Sequence, residues 1–343
     1  MNKAFFMLFV ILVSSCTSES NWSDFKAKGL PNDSETYNDL VFVNDSLGYL
    51  GGARLNISGT IEDHNLQHHA VLYETTDAGN SWQKIPVSYY GGVERVFSFK
   101  DTLVLLIQHV TADTIYILKY SKPGKEVEQI LSYPNSHFVR GIHFESPTSG
   151  KVILDDRKEQ SLLSYNGSKW DTLLALPKNH YRHTIYEDRV VSLIPERGTG
   201  LTKGILVTDI LTQEKKEVLF ATPYAIASQA KAREELYLAA SSGEKGKIIK
   251  YSGGKISEIE LGEYAEYRPD EVFAFGNTIA VVGNRQKDVA FLGVAHSFLL
   301  SKDGGKTWVL EELPNPLSFS PAFLYRDQFF ISSEFTGHFQ IRK

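Results

Sequence analysis

A single cysteine, Cys16, stands in the 343 residues. One thiol excludes an internal disulfide and any cysteine-rich zinc or iron–sulfur centre. Methionine is almost as scarce, with 2 residues, and no long amphipathic helical pattern is present. A basic surplus is missing too: 36 Lys and Arg face 41 Asp and Glu, a net charge of −5. Nucleic acid requires a basic surface, so no nucleic-acid partner is expected. No stretch reaches the ~18 apolar residues that would span a bilayer. The chain has no G-x-S-x-G elbow and no glycine-rich loop between a strand and a helix. Ser-His-Asp hydrolysis and cofactor-dependent redox chemistry therefore find no support, and no cofactor is expected. What is present points to a folded β protein. Hydrophobic residues make up 42% and aromatics 12%, which excludes global disorder. The 20 Phe, 17 Tyr and 26 Gly favour strands and turns.

The chain begins with Lys3 and an apolar run from Phe5 to Val13. That run rises only about 14 Å as a helix, half a bilayer core, and reads as a secretory h-region. Val13-Ser14-Ser15-Cys16 follows and resembles a bacterial lipobox, whose cysteine is lipidated and becomes the new N-terminus. Two attached acyl signals make such anchoring stable. Thr17, rather than an aspartate, comes next, which by resemblance to proteobacterial sorting favours the outer membrane. The expected organisation is a signal peptide at 1–15, a lipidated linker at 16–21 and one domain at 22–343.

The tryptophans reveal a repeat. Thr75-Thr76-Asp77-Ala78-Gly79-Asn80-Ser81-Trp82 and Ser301-Lys302-Asp303-Gly304-Gly305-Lys306-Thr307-Trp308 share the pattern [ST]-x-D-x-G-x-[ST]-W. Ser164 to Trp170 is a shortened relative, and Trp22 begins a segment comparable to the one after Trp82. All four tryptophans are thus expected at one recurring position. Weaker turns divide the interval into units of about 45 residues, the length of a four-stranded propeller blade. Each unit opens on a β-rich run, such as Leu40–Val43, Val96–Phe99 or Val272–Phe275. About seven units fit. The expected fold is an all-β, seven-bladed β-propeller of four-stranded antiparallel blades, with N- and C-terminal strands closing one blade.

The repeated pattern resembles the Asp-box, or BNR repeat, of sialidases and sortilin-like receptors. Preceded by Asp39 to Gly52, it is most similar to the photosystem II stability/assembly-factor-like propellers. The resemblance implies an assembly factor, scaffold or binding protein. In its Asp-boxes Asp77 and Asp303 would accept backbone N–H bonds, Gly79 and Gly305 would supply positive φ, and Trp82 and Trp308 would pack on the sheet.

Loops leading into the innermost strands lie at the channel mouth of a propeller. Arg95, Arg140, Arg182 and Arg268 recur there, with Tyr181 and Tyr267 beside the last two. Arginine forks bind carboxylate or phosphate in bidentate fashion, so this rim is a candidate site for an acidic peptide or anionic ligand. The competing reading pairs each arginine with a nearby acid, such as Glu94 or Glu271. His64, His68 and His69, with Glu62 and Asp63, form a weaker candidate for a divalent metal, against a solvated loop.

The expected function is a cell-envelope lipoprotein that binds a protein or glycan partner without catalysis. A sialidase-like glycoside hydrolase and a structural subunit of an envelope complex are the alternatives. A sialidase needs an arginine triad with a tyrosine and acids. Leu193-Ile194-Pro195 lacks the arginine of the family's Arg-Ile-Pro motif.

Overall fold

Short apolar runs bounded by Gly, Asn, Asp and Pro become strands. The computed structural model describes residues 22–31, 35–57, 66–108, 114–134, 137–156, 158–243, 245–285, 289–290, 293–294, 297–313, 322–325, 328–332 and 338–342. The leader, Cys16 and His64 lie outside them. Among the described residues the chain is all-β apart from one 3-10 turn at Gly262–Tyr264. None of their helices is long and apolar enough to cross a membrane.

After β1 (Trp22–Lys26), the first four-stranded sheet comprises β2 (Glu35–Phe42), β3 (Gly48–Ile57), β4 (Leu66–Thr75) and β5 (Gln83–Ile85). The second holds β6 (Gly92–Ser98), β7 (Thr102–Gln108), β8 (Thr114–Ser121) and β9 (Glu126–Pro134). The third holds β10 (Phe138–Ser146), β11 (Ser149–Asp155), β12 (Gln160–Tyr165) and β13 (Trp170–Leu176). A seven-stranded sheet then runs through β14 (Tyr181–Ile185), β15 (Arg189–Pro195), β16 (Thr202–Asp209), β17 (Lys215–Ala232), β18 (Glu235–Ser242), β19 (Lys245–Ser252) and β20 (Lys255–Glu260). Beyond it, β21 (Tyr267–Phe275) and β22 (Thr278–Arg285) precede a two-stranded ribbon, β23 (Val289–Ala290) with β24 (Gly293–Val294). They share a sheet with β25 (Ser297–Ser301) and β26 (Val309–Glu312). The final sheet orders β27 (Ala322–Tyr325), β28 (Gln328–Ser332) and β29 (His338–Arg342) beside β1.

Consecutive strands pair antiparallel, as a chain of short turns requires. The expectation of seven separate four-stranded sheets is met in part, with five of four strands and one of seven. The cause is β17, which is 18 residues long. Its first part pairs with β16 through Lys215–Leu219, and after Pro223 its second pairs with β18 through Ala225–Ala232. Proline offers no N–H to the ladder, which suits a point where the partner changes.

Each sheet buries apolar side chains against the next. Tyr49 and Leu72 meet Val96 and Leu105 between the first and second sheets, and Leu106 meets Phe144 between the second and third. Ile153 meets Ile185, and Tyr237 meets Val272, at the two borders of the seven-stranded sheet. Phe298 meets Phe329 at the last sheet, whose Phe330 packs with Tyr37 and Trp82 of the first. The succession of interfaces therefore returns to its start. The two ends of the chain lie side by side there, Trp22 opposite Arg342 and Lys26 opposite His338. Glu311 of β26 clamps the junction: Arg342 Nε and Nη2 each donate to it at 2.7 Å, and Trp22 Nε1 donates at 3.0 Å.

The four tryptophans do occupy equivalent positions. Trp82 and Trp308 immediately precede β5 and β26, and Trp170 and Trp22 begin β13 and β1, each the outermost strand of its sheet. The indoles of Trp170 and Trp308 donate to the carbonyls of Ile130 (2.9 Å) and Glu260 (3.0 Å) on the preceding sheet's outermost strand. The two matching turns are built alike. Thr75 Oγ1 donates to Asp77 Oδ1 and accepts from Gly79 N, while Asp77 accepts the N–H and hydroxyl of Ser81. Ser301, Asp303, Gly305 and Thr307 repeat that network. Gly79 (φ 87°) and Gly305 (φ 90°) take the left-handed conformation that glycine adopts without strain. Hydrogen bonds from Ser81 and Thr307 hold the Asp77 and Asp303 carboxyls below the usual carboxylate range.

Candidate anion-binding cavity

The first strand of each repeating unit lines the interior of the molecule, and six of them share a defect. The register slips between Tyr37 and Asp39, Val93 and Arg95, Val139 and Gly141, Tyr181 and Thr184, Ile226 and Ser228, and Pro269 and Glu271. Each slip is a β-bulge, which leaves residues unpaired and re-aims neighbouring side chains. The skipped residues include Asn38, Glu94, Arg140, Arg182 and Asp270. Arg182 also sits at φ 49°, the described non-glycine residue with positive φ that lies inside a strand. Such strain persists where the surroundings fix it, often at functional sites.

Two adjoining cavities open among these strands. One, of about 620 Å³, is lined by Asp39, Arg95, Arg140, Arg182, Lys231 and Glu271 among others. The second, about 450 Å³, shares Arg95, Arg140 and Lys231 and adds Glu94, His143 and His183. Three of the four rim arginines are thus brought together. Arg268 is exposed on β21 and lines neither cavity.

The two tyrosines expected at the rim belong to the core, and this corrects the sequence reading. Tyr267 is fully buried, its hydroxyl donating to Ser297 O (2.6 Å) and Val281 O (3.3 Å). Tyr181 packs on the cluster around Leu193 and hydrogen-bonds Thr202. An aromatic before a bulge points into the sheet interface, where its apolar area is worth more than at an exposed mouth.

Behind the cavity wall runs a buried relay that the sequence did not disclose. Arg140 Nε donates to Asp155 Oδ2 at 3.0 Å, and Gln160 Nε2 donates to the same oxygen at 3.3 Å. Gln160 Oε1 lies 3.0 Å from His183 Nε2, and His183 Nδ1 lies 2.7 Å from Ser192 Oγ. Since Gln160 Oε1 can only accept, Nε2 carries the imidazole proton and Nδ1 accepts from Ser192. Burial, reinforced by His180 and Arg140, pushes the His183 pKa down to about 4. A neutral ring therefore holds this wall across the physiological range. The partner of Arg140 is Asp155, not one of the neighbouring acids considered from the sequence.

Opposite, Asp39 Oδ2 accepts Val96 N at 2.7 Å and Glu94 Oε1 accepts Asn38 Nδ2 at 3.1 Å. Burial raises both carboxyls, against the lowering effect of Arg95. Glu94 reaches about 7, with Asp39 acting in the same direction. Burial also lowers Lys231, whose Nζ donates to Ile185 O (3.2 Å) and sits 4.5 Å from the Tyr186 ring centroid. A raised carboxyl stabilises the fold below its unfolded pKa and loses that contribution as pH climbs through its folded pKa. For Glu94 the window runs from about 4.5 to about 7. Glu94→Gln is expected to stabilise the protein at pH 8 by about 2 kcal/mol and change little at pH 4, read from urea unfolding at both pH values.

His68 and His69 are successive residues of β4 and face opposite sides of the sheet; the His69 ring lies 4.9 Å from that of Tyr90. Among the described residues no group of three metal-ligating side chains forms.

No family model and no curated protein matches the sequence. Solved structures do. The β-propeller domain of the trilobed protease of Pyrococcus furiosus, of open velcro topology, aligns with a TM-score of 0.59 at 9% identity, over 91% of this chain and 94% of that one. An uncharacterised protein of Listeria monocytogenes aligns with a TM-score of 0.56 at 10% identity, over 90% of this chain and 92% of that one. A prolyl endopeptidase aligns with a TM-score of 0.57 at 10% identity, over 88% of this chain but 46% of its own length. At such identities the likeness is one of fold. It also corrects the expectation that the chain is not an enzyme: domains of this shape occur in peptidases, so the fold gives no ground for excluding catalysis. The fold is a β-propeller.

Proposed function

We propose that this protein recognises an anionic segment of a protein or glycan partner inside its propeller cavity. The observation that carries the reading is the convergence of Arg95, Arg140, Arg182 and Lys231 on one space of about 620 Å³, in a chain whose net charge is −5. Such a volume suits a small ligand or a side-chain segment. Clustered cations with low-dielectric walls focus a positive potential there. Titration with a hexaglutamate peptide tests it: saturable binding that weakens with salt is expected, with uncharged hexaglutamine inert. Equal affinity for both peptides would defeat the reading. A tyrosine nucleophile, which a sialidase-like mechanism requires, lines neither cavity among the described residues.

The finer architecture is part of the same proposal. The seven interfacial clusters among the described residues support seven blades, with β17 serving two of them. The matched turns at Asp77 and Asp303 support the Asp-box type, similar to photosystem II assembly-factor-like propellers. The lipobox-like Val13–Cys16 supports export and a lipid anchor in the bacterial envelope, at the outer membrane. Cys16→Ser is expected to abolish acyl labelling and membrane retention in cell fractionation; retention equal to wild type would contradict the anchor.

A further inference from the structure

Apart from Arg95, the charges that line the two cavities are sorted by side. In the succession of sheets, β10, β14 and β17 contribute Arg140, Arg182 and Lys231. The other wall, built by β2, β6 and β21, contributes Asp39, Glu94 and Glu271, with Arg95 beside the first two. His143 on β10 and His183 on β14 line the same space, and burial lowers the pKa of both. Neither wall is charged by accident of solvent exposure. Asp39 is fixed by the Val96 N–H, Glu94 by Asn38, and Arg140 by Asp155. On β17, Gln229 lines both cavities and has a buried Oε1 with no hydrogen-bond donor among the described residues. A buried acceptor without a donor is costly, and a ligand N–H would satisfy it.

We infer that the two adjoining cavities together take a small zwitterion, with its carboxylate or phosphate against Arg140, Arg182 and Lys231 and its ammonium against Glu94 and Asp39. This rests on the anion-binding reading above and narrows it to a ligand class. The electrostatics make the claim specific. Burial raises both Glu94 and Asp39, and Asp39 lies close enough to raise Glu94 further, so two carboxyls share a poorly solvated corner. A cation placed there stabilises the ionised form and drives a proton off Glu94. An anion bound alone stabilises the protonated form and draws a proton on. The two ligand classes therefore shift protons in opposite directions near pH 7.

Calorimetry in buffers of different ionisation enthalpy reads that sign directly. The probes are di-, tri- and tetraglycine, their N-acetyl derivatives, O-phosphoethanolamine and inorganic phosphate. At least one free glycine peptide or O-phosphoethanolamine is expected to bind tenfold or more tightly than its N-acetylated form, and to release a fraction of a proton. Glu94→Gln should erase both the preference for a free ammonium and the proton release, while keeping phosphate binding. The glycine peptides and O-phosphoethanolamine also separate a peptide source from a phosphate ester. Equal binding of free and acetylated forms, or phosphate binding with no zwitterion bound, would overturn the inference and leave the anion site standing. Failure of every probe, phosphate included, would remove the anion site and the inference with it.

Discussion

Glu311→Ala is expected to cost about 3 to 5 kcal/mol of stability, the largest effect of any single substitution considered for this chain. The Arg342 and Glu311 side chains are 9% and 10% exposed, and two hydrogen bonds of 2.7 Å join them. Removing the carboxylate leaves the guanidinium charged, nearly dry and without its fork partner, and deprives Trp22 of its acceptor. The site is also where β1 and β29 pair, so weakening it loosens the last sheet from both ends of the chain at once. Urea unfolding reads the loss as a lower midpoint. Glu311→Gln should cost almost as much, because it retains the volume and discards the charge. A double change of Glu311 and Arg342 to methionine should recover much of the loss, since no buried charge is then unpaired. A Glu311→Ala midpoint within error of wild type would show that the terminal strands are held by other means.

The second large effect concerns binding. Arg140→Glu with Arg182→Glu is expected to lower affinity for hexaglutamate by at least about 100-fold, equivalent to about 2.7 kcal/mol, and Arg182→Glu alone to leave the urea midpoint close to wild type. Arg182 is exposed and forms part of a bulge, so its reversal removes no core contact. Arg140 is half-exposed at its side chain, but its reversal sets a second carboxylate against Asp155. The single Arg182→Glu variant therefore gives the cleaner comparison between folding and binding. Arg268→Glu serves as the control, because Arg268 lines neither cavity. Its affinity should stay within about threefold of wild type. Retained binding in the double variant would move the site elsewhere.

Much of the architecture was legible because it rests on local chemistry repeated along the chain. The runs at Leu40, Val96, Gly141, His183, Tyr224, Val272 and Ala322 fall in the strands that begin each unit, β2, β6, β10, β14, β17, β21 and β27. The tryptophans marked the outermost strands because an indole there buries its face on the preceding sheet. The continuity of β17 was not legible: Thr222-Pro223 reads as a break, yet the chain carries straight on and changes partner.

The site was read less well, and the bulges explain why. A place in the loop entering an innermost strand assigns Tyr181 and Tyr267 to the mouth beside their arginines, whereas both residues begin a strand, ahead of its bulge, and turn their rings towards the sheet interface. A signal was available in the sequence. Asn38-Asp39, Glu94-Arg95, Arg182-His183 and Asp270-Glu271 are adjacent polar pairs that interrupt otherwise apolar strands. The relay from Arg140 to Ser192 could not have been found in this way, because its five members come from five different strands and no local pattern links them. Lys231, in sequence beside a hairpin turn, carries no local signal, yet the second half of β17 brings it into the cavity wall.

The most direct test of the central claim is a crystal structure of the mature domain soaked in selenate, with the anion located by its anomalous signal. The account predicts a peak inside the cavity, within hydrogen-bonding distance of Arg140 and Arg182. Selenate bound only outside the cavity, with those two guanidiniums turned away from it, would contradict the account.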